Sequence, residues 1–290
     1  MQIESAVIPV AGIGSRAFPL TTSIEKCLLP VYAGVATRPL IDYMVQDCVK
    51  AGIKRILFVT TERGKTQLKD YFCSINTSVS EQLSSLGKND ILQNELNRRS
   101  AMNVTFEFII QPQGLYGTAV PLFYAQDALR GENSFVMFGG DDFVYHPDST
   151  SELGLAIDTW TKSKTNHLIM GAPVSRQAAQ KYGVLYSSEQ KLLTSIDEKP
   201  KLLDIPKNPL VNITRYLFNK SIWAEIEEEI NVQRGNGEHY ITYAINEAIR
   251  KGQTFAIHTV KGIYLDGGSY EGLQQAGEYI SNHLPLSARE

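Results

Sequence analysis

Val7-Ile8-Pro9-Val10-Ala11-Gly12-Ile13-Gly14-Ser15-Arg16 is the stretch that decides the fold. An apolar, β-branched run stops abruptly at Ala-Gly-x-Gly, and an arginine follows two residues later. A buried strand ending in glycines brings backbone amides close to any bound anion, with a fixed positive charge beside them. The loop admits three readings. Residues 12–17 match the dinucleotide fingerprint G-x-G-x-x-G/A, but that site needs a helix at the loop and an acid about 20 residues on. Pro19 interrupts the required helix, and no Asp or Glu lies between Cys27 and Arg38. A Walker loop is excluded because no Gly-Lys-Ser/Thr closes it. A second reading is a tight turn after an edge strand. The third takes in the following segment: Arg16 and Lys26 bracket a long loop punctuated by Pro19 and Pro30. Two cations on such a loop suit a triphosphate grip that uses no helix N-terminus.

Beyond the loop, residues 39–52 read as a helix stopped by Gly52, residues 53–60 as a buried strand and 65–72 as a short helix. Strand, loop, helix, strand, helix predicts a parallel sheet covered by helices. Residues 76–102 turn polar and helical, which predicts an exposed insertion carrying little core. Strands at 104–111, 134–138 and 167–174 alternate with helices at 117–130 and 151–163. After residue 180, short strands at 183–186, 192–196 and 212–218 are separated by turn residues, a mixed or antiparallel style. Helices at 223–230, 241–250 and 270–283 and a strand at 254–260 complete the reading. The expected architecture is α/β: a Rossmann-like, mostly parallel sheet flanked by helices, with a mixed or antiparallel C-terminal extension. One domain over residues 1–290 is expected, since no repeat or low-complexity linker divides the chain.

Composition narrows the function classes. With 28 basic and 31 acidic residues the formal net charge is −3, so no electrostatic argument favours nucleic acid or an anionic membrane. No apolar run reaches the roughly 18 residues a bilayer span needs. The start, Met-Gln-Ile-Glu-Ser, has no basic region of the kind that precedes a secretory signal. Three cysteines, Cys27, Cys48 and Cys73, show no metal-type spacing, and a cytoplasmic protein with free thiols is expected.

A second signal is Phe135-Val136-Met137-Phe138-Gly139-Gly140-Asp141-Asp142, an apolar strand ending in two glycines and two adjacent carboxylates. Strand C-termini are where ligands bind in open α/β sheets. Neighbouring side chains on an extended chain point to opposite sides, so Asp141 and Asp142 should have different tasks. A Mg²⁺ site takes one or two carboxylates with phosphate oxygens and waters. Asp266, in Tyr264-Leu265-Asp266-Gly267-Gly268-Ser269, is the candidate second carboxylate; the alternative makes it a turn residue or helix cap. Asp197-Glu198-Lys199-Pro200 reads on its own as an exposed charged turn. Gln111-Pro-Gln-Gly114-Leu-Tyr-Gly117-Thr-Ala119 carries amide side chains able to read donor and acceptor faces of a base.

Taken together these residues resemble the sugar-nucleotidyltransferase family. Gly12, Gly14, Arg16, Lys26 and Pro30 fall on its pattern G-x-G-x-R, spacer, K-x-x-x-P, and the overlap runs from Val7 to about Ala276. The short chain and polar insertion resemble the bacterial enzymes that use UTP and glucose 1-phosphate. The resemblance implies the nucleotide-diphospho-sugar transferase fold and transfer of a nucleotidyl group to a sugar 1-phosphate with release of pyrophosphate. It implies that Arg16 and Lys26 hold the triphosphate, Asp141 and Asp266 hold Mg²⁺, and Lys199 holds the sugar phosphate. Ala11, Gly12, Gly14, Gln111 and Gly117 are the expected nucleotide contacts, with Gln113 in place of Gln111 if the register shifts. Asp142, Gly183 of the Tyr182-Gly183-Val184 turn, and Glu198 are the expected sugar contacts. A homo-oligomer, dimer or tetramer, is the family expectation. The chain departs from the pattern at Cys27, at the extra residues 33–37, and at Tyr243, each of the outer two standing where an acid is usual. Thymidylyl or cytidylyl transfer, or a weakly active regulatory relative that binds sugar nucleotide, are the rival readings.

Overall fold

A computed structural model describes residues 3–34, 37–235 and 237–284. Val35 and Ala36, within the extra residues 33–37, lie outside the described residues, as do the first two residues of the chain. In chain order the first half contains β1 (Ser5–Pro9), β2 (Pro30–Val31), β3 (Arg38–Pro39), α1 (Leu40–Lys50), β4 (Arg55–Thr60) and α2 (Glu62–Phe72). It continues through α3 (Thr77–Ser85), α4 (Asn89–Met102), β5 (Thr105–Ile110), α5 (Val120–Ala125), β6 (Ser134–Met137) and β7 (Asp142–Tyr145). The second half holds α6 (Glu152–Ser163), β8 (His167–Pro173), α7 (Arg176–Ala179), β9 (Gly183–Ser187), β10 (Leu193–Glu198) and β11 (Leu210–Asn219). It ends with α8 (Trp223–Asn231), α9 (Ile241–Arg250), β12 (Phe255–Thr259), β13 (Ile263–Asp266) and α10 (Tyr270–His283).

Among the described residues nine strands form one sheet. Its parallel part is β6-β1-β4-β5, with Val7 paired to both Leu57 and Met137. Antiparallel β11 joins this part to β9 and β10 and also carries β8, which pairs in parallel with β12. The expected parallel sheet with a mixed extension is therefore the observed one. Alternation along β1 and β4 explains the two cores: Ala6, Ile8, Ile56 and Phe58 face one, Val7, Leu57 and Val59 the other. Helices α1, α2, α6 and α10 cover the first face, and α5, α8 and α9 the second.

Three readings of local structure are corrected. The helix expected over 117–130 shrinks to α5 and a 3₁₀ turn, Asp127–Leu129. Gly117 at φ 114° cannot continue a helix, and Pro121 sits within its first turn. Helix α2 begins at Glu62, earlier than the apolar pattern suggests, because the Thr61 side chain accepts the Gly64 N–H and caps it. Asp266 does end a strand, β13, but Asp142, expected at the end of the strand before it, instead opens a new strand, β7, and faces Asp266 across an antiparallel ribbon separate from the main sheet. The insertion behaves as expected: α3 buries no residue and α4 only Met102.

Candidate active site

The loop after β1 forms no α-helix. It folds into 3₁₀ turns at Ser15–Ala17, Leu20–Thr22 and Lys26–Leu28, which is how a proline-punctuated chain satisfies backbone groups locally. Gly14 takes φ 64°, and a side chain there would press to 2.8 Å from the Thr21 methyl. The Thr21 hydroxyl donates to the Gly14 carbonyl at 3.1 Å. Two residues overlooked in the sequence hold the rest. Arg63 on α2 donates to the carbonyls of Thr21 and Thr22 and to the buried carboxylate of Glu25 at 2.8 Å. These contacts leave Lys26 aimed inward, with its ammonium 2.7 Å from Asp141 Oδ2; Arg16 reaches the same oxygen at 3.4 Å.

The acidic turn is built differently. Gly140 lies so close to the Pro9 carbonyl that a side chain there would overlap it. The Asp141 carbonyl accepts the Gly267 N–H at 2.9 Å, so β13 docks directly on the turn. Asp141 faces the cleft with 42% of its side chain exposed, while Asp142 is buried. Arg215 grips the Asp142 carboxylate at 2.5 Å and its carbonyl at 2.7 Å, and the Tyr264 hydroxyl donates to the other carboxylate oxygen at 3.0 Å. Burial pushes the Asp142 carboxyl up to about 6, with the Arg215 guanidinium pulling the other way. The reading of Asp142 as a sugar-facing group is thus corrected: its oxygens are occupied inside the protein. Arg215, the lone charge in the strand-like stretch 211–218, was the available signal, since a buried charge requires a partner.

Asp266 lies opposite Asp142 in the ribbon. Its carboxylate accepts the Gly268 N–H at 2.7 Å and the Tyr182 hydroxyl at 3.1 Å. It therefore does hold a turn, but the cap of α10 is Ser269, whose side chain accepts the Gly272 N–H. The far end of the ribbon is clasped by Glu152 of α6. His146, His258 and the backbone N–H groups of Lys261 and Gly262 all reach its two oxygens within 3.0 Å. Burial alone would raise the Glu152 carboxyl, but hydrogen bonds from His258, Gly262, His146 and Lys261 outweigh it and hold the group at about 2.

A cleft of about 660 Å³ opens between these parts. Ala11, Gly12, Lys26, Gln111, Gly117 and Asp141 line it together, although they come from four separate segments. Gly12 has open space where a side chain would project, so its bare backbone faces the cleft. Gln111 Oε1 is buried without a hydrogen-bond partner among the described residues, an orphan acceptor. Gly117 is needed chiefly because its Cα packs on the His239 backbone, where a side chain would overlap. Arg16, Gly14, Asp142, Gly183, Glu198, Lys199 and Asp266 are not among the lining residues. Of these, Gly183, Glu198 and Lys199 form their own group at the β9–β10 end. Glu198 pairs with Gly183, and the Lys199 N–H donates to the Tyr182 carbonyl at 3.1 Å. Tyr182 links this group to Asp266. Burial pushes the Glu198 carboxyl up.

Two departures from the family pattern acquire physical accounts. Cys27 is 3% exposed, and burial with the neighbouring Glu25 charge pushes its thiol up to about 12, so it stays protonated and unreactive. Tyr243 carries the Arg234 guanidinium 4.4 Å over its ring and Tyr240 edge-on at 5.5 Å. No group of three or more His, Cys, Asp or Glu side chains able to hold a metal occurs among the described residues.

The nucleotidyl transferase family model matches residues 5–283. The UTP–glucose-1-phosphate uridylyltransferase of Haemophilus influenzae is 32% identical over 295 aligned positions, covering 97% of this chain and 94% of that protein. A UDP-glucose pyrophosphorylase solved with UDP-glucose superposes with a TM-score of 0.78 at 26% identity, covering 97% and 99% of the two chains. The UTP-bound enzyme of Acinetobacter baumannii gives 0.82 at 26% identity, covering 99% and 96%.

Proposed function

The chain belongs to the nucleotidyl transferase family, and we propose that it makes UDP-glucose and pyrophosphate from UTP and glucose 1-phosphate. The observation that carries this reading is the meeting of Lys26 and Arg16 on Asp141, with Lys26, Asp141 and Gln111 lining one cleft. An amide side chain at Gln111 suits the donor and acceptor pattern of a uracil edge, and Gly12 leaves room for the nucleotide backbone to approach.

A phosphate oxygen of glucose 1-phosphate attacks the α-phosphorus of UTP, the bond from that phosphorus to the bridging oxygen breaks, and pyrophosphate leaves. The attacking oxygen is already anionic, so no general base is needed. Lys26 and Arg16 bind the triphosphate and balance charge on the departing pyrophosphate, and Lys199 orients the acceptor's phosphate. Glu198 and Gly183 receive the sugar hydroxyls. Hard oxygen donors suit a Mg²⁺ ion completed by phosphate oxygens, and Asp141 and Asp266 are the residues that would hold it. Bound there, the ion would neutralise charge developing at the α-phosphate.

The test is pyrophosphate release with Mg²⁺, crossing UTP, dTTP and CTP against a panel of sugar 1-phosphates. UTP with glucose 1-phosphate should be the fastest pair. Release that is faster with dTTP or CTP would move the assignment to another base, and no release with any pair would leave a sugar-nucleotide binder.

A further inference from the structure

At Thr214 the main sheet forks. Strand β11 keeps β8 along one side; on the other it pairs with β9 through Leu210 and Val211, then with β6 from Tyr216 onward. The β11–β8 register slips between Asn212 and Tyr216, within the same stretch. Thr214 sits in this bulge at φ 51°, a left-handed conformation natural to glycine and disfavoured for a β-branched residue. Asn212 fixes it there. Its Oδ1 accepts the Thr214 N–H at 3.0 Å, and its Nδ2 donates to the Tyr216 hydroxyl at 2.7 Å. Arg215 then turns inward to Asp142.

Thr214 lines the cleft. A Cβ built on Gly139 would stand 3.1 Å from the Thr214 Cβ, so the two residues are in contact across the fork. Asp141 lies two residues beyond Gly139 on one arm, and Gly183 precedes Val184 on the other. Thr214 therefore stands between the acidic turn and the Gly183–Glu198 pair. Glycine would adopt this backbone without strain, and strained residues persist where the surroundings hold them for a task. The Thr214 side chain is half-buried and occupies cleft space.

We propose that Thr214 is a specificity-determining residue for the acceptor: its methyl and hydroxyl fill the fork between β6 and β9, admitting an unsubstituted hexose 1-phosphate and excluding one that carries an acetamido group. This role presupposes the sugar 1-phosphate chemistry proposed above. The test measures kcat/KM with UTP for glucose 1-phosphate and for its 2-acetamido analogue, in wild type, Thr214→Ala and Thr214→Gly. Both variants should lose at least about tenfold of the discrimination, about 1.4 kcal/mol, with the KM for UTP unchanged. Thr214→Gly should also unfold at higher urea than wild type, which keeps the result separate from misfolding. Discrimination unchanged in both variants overturns the assignment. Loss in the glycine variant alone also overturns it, because backbone mobility rather than side-chain volume would then be responsible. A wild type that releases no pyrophosphate from UTP and glucose 1-phosphate refutes the proposed function instead, and is seen before any variant is compared.

Discussion

The glycine loop after β1 and the acidic turn after β6 leave neighbouring parallel strands at the same edge of the sheet, yet they are held in opposite ways. The loop is stitched largely by short-range bonds, Thr21 to Gly14 and three 3₁₀ turns. Braces come from Arg63 and Gln67 of α2 and from the Tyr270 hydroxyl, which donates to the Ala17 carbonyl. The turn is fixed by residues more than seventy positions away, Arg215, Tyr264 and Gly267. A loop built from short turns can present amides and cations on one side while Ala17, Cys27 and Leu28 anchor the other in the core. A turn pinned by a buried ion pair cannot shift without disturbing the protein interior. Asp141 and Asp142 mark the boundary: adjacent in sequence, one belongs to the cleft and the other to the core.

The sharpest way to break this contrast is to exchange the two acids separately. Asp141→Asn should lower kcat for pyrophosphate release by about three orders of magnitude or more. Its urea midpoint should barely move, because ion pairs to half-exposed groups contribute little. Near-normal turnover would remove Asp141 from the chemistry. Arg215→Met should do the reverse through stability, costing about 3–5 kcal/mol by leaving Asp142 buried and unpaired. Urea unfolding measures the loss, and pairing the change with Asp142→Leu should recover part of it. No loss in the single variant would mean the turn is not anchored through the core.

Acid titration addresses the ribbon that carries Asp266. The folded value of Glu152, about 2, lies below its ordinary value of 4.5. The stabilisation is therefore complete above pH 4.5 and drains away as the pH falls from 4.5 towards 2. At about 1.4 kcal/mol per unit it amounts to about 3 kcal/mol at most. Urea midpoints across that window should fall more steeply for wild type than for Glu152→Gln; parallel slopes would assign the acid sensitivity elsewhere. The smallest effects separate two glycines of one loop. Gly14→Ala meets a left-handed backbone and the Thr21 methyl, and should cost about 1–2 kcal/mol of stability. Gly12→Ala meets nothing in the protein, so stability should stay within about 0.5 kcal/mol while the KM for UTP rises. Equal effects on both quantities in both variants would erase the distinction.

Much of the fold was readable because it rests on periodicity. Buried strands such as 53–60 and 134–138 and helices such as α9 and α10 register in apolar spacing that no tertiary contact overrides. The cleft residues Gly12, Lys26, Gln111 and Asp141 were readable because their chemistry is concentrated in short motifs. What was missed depends on contacts distant in sequence. The β7–β13 ribbon joins segments more than a hundred residues apart, so neither half alone looks like a strand with a partner. Asp142 was misassigned because alternation says only that it points away from Asp141; the partner waiting there, Arg215, comes from another strand. Thr214 gave no warning, since a β-branched threonine inside a strand pattern normally reads as an ordinary strand residue.

The docking of β13 on the acidic turn has a consequence for synthesis of the chain. A fragment ending before residue 262 would contain every residue lining the cleft but would lack Asp266 and the Gly267 amide that braces the turn. Such a nascent chain would carry a nucleotide grip and no partner carboxylate for Asp141. On the assignments proposed above, the second carboxylate of the metal site is supplied only once the chain is synthesised past Asp266, where the ribbon pairs β13 with β7.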